Sequence, residues 1–191
     1  MKLPRSFYTR KDVVQISRDL LGKVLVTDID GFKTAAVILE TEAYAGETDR
    51  ASHAHGGRRT KRTEPLYQGG GRAYVYLCYG IHHLFNVVTN ESDFPDAVLV
   101  RAGQPLQGTT RMLQRRCRTK VDKSLLGGPG SVAKALGITT VFTNTGLNGT
   151  VIWIEDRGQT VYERDIVAGP RVGVDYAGQD AGRPYRFIWR R

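Results

Sequence analysis

"KVLVTDIDGFKTAAVILETEA", residues 23–43, decides how the chain is read. Two apolar runs flank Asp30-Gly31, a pair suited to the left-handed positions of a two-residue hairpin turn. The segment predicts two antiparallel strands, the second ending near Glu42. Downstream, "YVYLCY", "LFNVVT" and "AVLVRA" read as further strands, the last two joined by the turn-like "NESDFPD". "VIWIE", "RVGV" and "YRFIW" supply late strands. Upstream, Thr9 and Asp12 have capping-box spacing, Val13, Ile16 and Leu20 share a helical face, and Gly22 stands where a helix would end. A helix over about residues 10–21 is expected, and a second, short one opened by Pro129 and closed by Gly137. Residues 45–72 form a long polar loop. Hairpins outnumber βαβ units, which predicts an α+β fold on a curved, largely antiparallel sheet with surrounding helices.

At 191 residues with 40% apolar content, the chain can bury one sizeable core, so residues 1–191 are read as a single domain. No run approaches the ~20 apolar residues of a membrane span. The N-terminal "MKLPRSFYTRKD" lacks a secretory apolar stretch, and a cytoplasmic protein with no membrane partner is expected. Cys78 and Cys117 have no CxxC spacing and read as reduced thiols. The formal net charge of +9 attracts polyanions, either nucleic acid or an anionic membrane face. Basic residues gather at 58–62 ("RRTKR"), between Arg111 and Lys123, and in the C-terminal "RPYRFIWRR". Any one run is ordinarily a solvated face, but three in so small a chain favour a surface that tracks polyphosphate.

Strand alternation puts Glu40 and Glu42 on one face, with Glu42 at the strand end where it can face a cleft. Pattern alone fits two solvent-facing carboxylates at least as well. His53, His55, His82 and His83 lack the spacing of a three- or four-ligand zinc site, so no metal is assigned. "YVYLCYGIHHLFNVV", residues 74–88, crowds half-polar rings into what otherwise reads as core strand.

"ETEAYAGETDRASH", "YVYLCYGIHHLFNVV", "AVLVRA", "GGPGSVAKALGI" and "RVGVDYAGQDAGRPYRF" follow one another across about Phe7–Phe187. In that order they resemble the alkyladenine (3-methyladenine) DNA glycosylase family in its short bacterial form. The resemblance implies a monofunctional, cofactor-free enzyme, monomeric and nucleoid-associated, acting on double-stranded DNA that contains damaged purines. It implies a protruding β-hairpin that inserts into DNA, with Tyr79 as the intercalating residue ahead of Gly80. Tyr44, His53, Tyr76 and Asn86 match the base-binding pocket, with Tyr74 supporting the histidine and Asn86 crowding the 2-amino group of guanine. Glu42 matches the general base, and Arg101 and the Val172 carbonyl match the groups that position the attacking water. Ile81, His82 and His83 depart from the better-known vertebrate pattern beside the plug. No lysine lies within the Glu42 motif to form a Schiff base, so strand cleavage is not expected. A DNA-binding domain without catalysis and a histidine-based metallohydrolase are the competing classes.

Overall fold

Asp30 and Gly31 both take left-handed backbone angles (φ 55° and 75°) and fold β1 (Val24–Ile29) back onto β2 (Phe32–Tyr44). Residues 1–190 are described by this computed structural model; Arg191, the last residue of the C-terminal basic run, lies outside the described residues. The thirteen-residue β2 is the axis of the sheet. It pairs along its length with β5 (Asp96–Gln107) on one side. On the other it pairs first with β1 and then, at Glu40–Glu42, with β8 (Arg186–Trp189). β3 (Arg72–Cys78) and β4 (His82–Thr89) extend the sheet beyond β5, while β6 (Ile152–Glu155) covers β1 and β7 (Ile166–Gly169) covers β8. Every pairing is antiparallel. The single domain is thus α+β, as the hairpin signals require.

After the four-residue α1 (Arg5–Tyr8), α2 (Val13–Asp19) lays Val13 and Ile16 on the core. It docks onto β2 through buried hydroxyls: Thr41 Oγ1 donates to the Ser17 carbonyl (2.8 Å), and Ser17 Oγ donates to Thr41 Oγ1 (3.0 Å). α4 (Pro129–Leu136) packs Val132, Ala133, Ala135 and Leu136 under β4 and β5, and Gly137 closes it in a left-handed conformation.

Three local expectations are corrected. The first main helix is shorter than 10–21, because Asp12 and not Thr9 caps it: Asp12 Oδ1 accepts from the Gln15 amide (2.9 Å). β2 continues past Glu42 to Tyr44, since the Ala43 amide still finds a carbonyl, that of Tyr185 (2.8 Å). "RVGV" is not a strand; its Val172 amide bonds a side chain instead of a ladder carbonyl, and the strand lies earlier, at Ile166–Gly169. The basic run after Arg111 begins inside a helix, α3 (Thr109–Arg116), which its charge obscured.

Two irregularities in the β2–β5 pairing matter for the site. The register runs Ile38↔Gly103, Glu40↔Ala102, Thr41↔Val100, so Leu39 on β2 and Arg101 on β5 are each left without an opposite partner. Such bulges re-aim side chains. The same register holds on both sides, with Ile38↔Gly103 before and Thr41↔Val100 after, so an unbroken ladder would set Arg101 opposite Glu40, on the face that Glu40 and Glu42 share.

Thr41→Val tests the docking of α2 on β2. The swap keeps the shape but leaves the Ser17 carbonyl and hydroxyl short of a partner, and stability should fall by about 1–3 kcal/mol in urea unfolding.

Candidate active site

Glu42 is completely buried, with 0% of its surface exposed, so it is not the solvent-facing strand residue that alternation allows. A buried carboxylate requires donors, and three are in place. The Val172 amide donates to Oε1 (2.8 Å), the Tyr44 hydroxyl to Oε2 (2.8 Å), and Arg101 Nη1 to Oε2 (3.3 Å). An ionised carboxylate offers about four lone-pair sites, so one stays open for a further donor. Glu40 does share Glu42's side, as expected, and accepts from Arg101 Nε (3.2 Å) and Arg186 Nε (2.7 Å). One guanidinium, that of Arg101, thus reaches both carboxylates.

Beside Glu42 opens a cavity of about 530 Å³. Tyr44, His53, Tyr76, Asn86, Arg101 and Val172 all line it, so the structure gathers these expected residues around one space. The His53 and Tyr76 rings meet edge to face with centroids 4.6 Å apart. Asn86 is buried and fixed, its Nδ2 donating to the Tyr74 carbonyl (3.1 Å). Val172 meets Glu42 through its amide N–H.

Protonation states follow from burial. Burial, then the Glu42 charge and its hydrogen bond, push the Tyr44 hydroxyl far above the usual tyrosine range, so it remains a donor. Burial, then the charges of Arg62 and Arg58, lower the His53 imidazole to about 4, so the ring is neutral near pH 7. His53 Nδ1 lies 2.9 Å from the Tyr74 hydroxyl. Elsewhere, His83 Nδ1 accepts from the Thr140 amide and His55 Nδ1 donates to the Glu47 carbonyl. Three of the four histidines, His53, His55 and His83, are thus used separately, and no group of three His, Cys, Asp or Glu suited to a metal occurs among the described residues.

Tyr79 and Gly80 turn the hairpin between β3 and β4, both at positive φ (50° and 72°). Tyr79 is 89% exposed and Ile81 71%, while Cys78 and Tyr79 edge the cavity mouth. An aromatic residue held in a left-handed turn and left in solvent is costly.

Sequence reasoning missed the support behind these residues. Arg171 and Asp49 form an ion pair with both side chains fully buried. Arg171 Nη1 donates to Asp49 Oδ2 and the Ala43 carbonyl (2.8 Å for the latter), and Nη2 to Asp49 Oδ1 (2.8 Å) and the Asp180 carbonyl (3.1 Å). Its guanidinium also lies over the Tyr44 ring, 4.8 Å from the centroid. Asp49 accepts in turn from the Ala45 and Ala51 amides. Tyr176 was missed as well; it lines the cavity, its hydroxyl donating to the Ala51 carbonyl (3.1 Å). Both Arg171 and Tyr176 lie within "RVGVDYAGQD", and a charge among apolar residues was the available signal.

The methylpurine-DNA glycosylase family model matches residues 6–191. Among curated proteins, one from Chlamydia abortus named "Putative 3-methyladenine DNA glycosylase" is 43% identical over 187 residues, 97% of each chain. Proteins of the same printed name from Desulfitobacterium hafniense (42% identical, 97% of this chain and 94% of that one) and Bacillus cereus (40%, 99% and 96%) are similar.

Asp49→Ala strands a buried Arg171 and removes the acceptor of two amides. It should cost about 3–5 kcal/mol by denaturant unfolding. His53 gives a pH signature. Its folded-state value of about 4 lies below the ordinary ~6.5, so its contribution is complete above ~6.5 and is lost as pH falls toward 4. His53→Gln should flatten that part of the stability–pH curve.

Proposed function

The chain belongs to the methylpurine-DNA glycosylase family, and we propose that Glu42 activates the water that releases a damaged purine drawn into the aromatic cavity. As a member of that family it is a DNA glycosylase, a hydrolase of N-glycosyl bonds whose substrate is damaged DNA. The observation that carries the mechanistic reading is the state of Glu42: wholly buried and held by three donors, Tyr44, Arg101 and Val172, that themselves line the cavity.

A base stacked in duplex DNA keeps its glycosidic carbon screened, so the nucleotide must be extruded. Tyr79, presented at the tip of the hairpin, fills the gap and recovers stacking. The base enters between Tyr44, Tyr76 and His53. Electron-rich ring faces attract cationic alkylpurines by about 0.5–2 kcal/mol per favourable contact. Asn86, immobilised by its bond to the Tyr74 carbonyl, crowds a 2-amino group, so selectivity against guanine rests on exclusion. The accepted class is alkylated or deaminated purines: 3-methyladenine, 7-methylguanine, hypoxanthine and ethenoadenine.

Water then forms a bond from its oxygen to C1′ as the C1′–N bond breaks. The water proton passes to Glu42, whose charge also stabilises the oxocarbenium character of the sugar. An alkylpurine cation takes the bonding electron pair and departs neutral, whereas hypoxanthine or ethenoadenine departs as an anion that takes a proton from solvent; either leaves an abasic site. Arg101 helps hold the water, and the Val172 segment closes the site opposite Tyr44. The protein acts as a monomer, and neither the strand scission of a Schiff-base enzyme nor a cofactor is required.

Single-turnover excision and equilibrium binding test the reading with two variants. Glu42→Gln should slow base release at least ~100-fold while duplex binding survives. Tyr79→Ala should weaken binding to a lesion duplex and slow its excision at limiting enzyme, but affect a single-stranded lesion less. Near wild-type cutting by folded Glu42→Gln removes the base from its role.

A further inference from the structure

The basic run at 58–62 divides into two sets. Arg59 is turned to the outside, paired with Glu64 through Nε and Nη2 (both 2.8 Å) and with Asp93 through Nη1 (2.6 Å). Arg58 and Arg62 have no carboxylate partner among the described residues, and both line a separate cleft of about 460 Å³. Arg50, His53, His55 and Tyr176 complete its charged and aromatic wall, Ser52, Thr60 and Thr63 add hydroxyls, and no carboxylate lines it. Ser52, His53, Arg62 and Tyr176 line the base cavity as well, so the two spaces are contiguous. Arg62 stands at the junction, its guanidinium 5.4 Å from the Tyr76 ring centroid. The depressed titration of His53 by burial and by both arginines reports the positive field there.

We propose that this cleft is an anion site that takes a phosphodiester of the lesion strand next to the extruded nucleotide, gripped by Arg58 and Arg62. The proposal rests on the reading of the adjoining cavity as a base pocket: whatever base enters there brings its own sugar-phosphate to the neighbouring wall. Two unpaired guanidiniums suit that group, because their N–H donors match phosphate oxygens two at a time. Arg62 then performs two tasks, holding the backbone on one side and packing against Tyr76 on the other. Arg59, neutralised by two carboxylates, contributes nothing to the grip despite its place in the same run.

The test is equilibrium binding to duplexes that carry one abasic-site analogue and a single neutral methylphosphonate, placed in turn at each of three linkages on either side. Wild type should lose affinity at one or two adjacent positions. The Arg58→Ala/Arg62→Ala variant should bind all-phosphate duplex more weakly, lose nothing further at those positions, and show a log–log salt dependence shallower by about one to two. Arg59→Ala should behave as wild type. Arg58→Ala alone, at an exposed position, carries the same test if the double variant does not fold. Inorganic phosphate should compete with duplex better for wild type than for Arg58→Ala. Losses that add independently at every position, or phosphate competition that does not distinguish the variants, would overturn the site. If the protein released no alkylpurine while the binding pattern held, the base-pocket reading would fail and the anion site would stand.

Discussion

The Asp49–Arg171 ion pair is the constraint from which the rest of the site follows. Two fully buried opposite charges need most of their donors and acceptors matched, and of the Arg171 nitrogens only Nε lacks a partner. Here the Arg171 hydrogen bonds reach three stretches of chain: the end of β2 at Ala43, the loop at Asp49, and the Asp180 carbonyl. Asp49 ties the loop back through the amides of Ala45 and Ala51. With these segments locked together, the neighbour of Arg171 has no ladder to join. Its amide is left pointing at Glu42.

The same arrangement sets the electrostatics. Glu40, Glu42 and Asp49 face Arg101, Arg171 and Arg186, three negative charges against three positive, so the buried network carries no net charge. Glu42 can therefore lie out of water without an unmatched countercharge. Arg101 serves two carboxylates because the register between β2 and β5 sets it beside Glu40, on the face that Glu42 shares. Guanidinium planarity and its fork of donors make arginine the residue suited to such bridging.

Rigidity near Glu42 contrasts with exposure at the hairpin. Tyr79 occupies a left-handed backbone conformation that an aromatic side chain adopts at a cost of about 1–3 kcal/mol, and its ring has almost no protein contact surface. That expense is incurred by a strand pair otherwise in continuous register from Arg72↔Val88 to Cys78↔His82. Strain and solvent exposure thus sit at the tip, while the core side of the same strands is packed with Val75, Phe85 and Val87.

Periodicity and turn chemistry carried the strands, the Asp30-Gly31 hairpin, the Pro129–Gly137 helix and the α+β class, because these depend on neighbours within a few residues. The cavity residues Tyr44, His53, Tyr76 and Asn86 were named through the family resemblance of the motifs and not through local pattern. The sequence could not show that Glu42 is buried, since the same alternation describes an exposed edge. Nor could it distinguish Arg59 from Arg58 and Arg62, whose difference lies in carboxylates brought from Glu64 and Asp93. Asp49 and Arg171 are 122 positions apart. Local pattern has no means of pairing such charges, and the place of Arg101 beside Glu40 and Glu42 arises from a register between strands. Those contacts were decided by tertiary structure, through the requirement that every charge taken out of water be met by a partner.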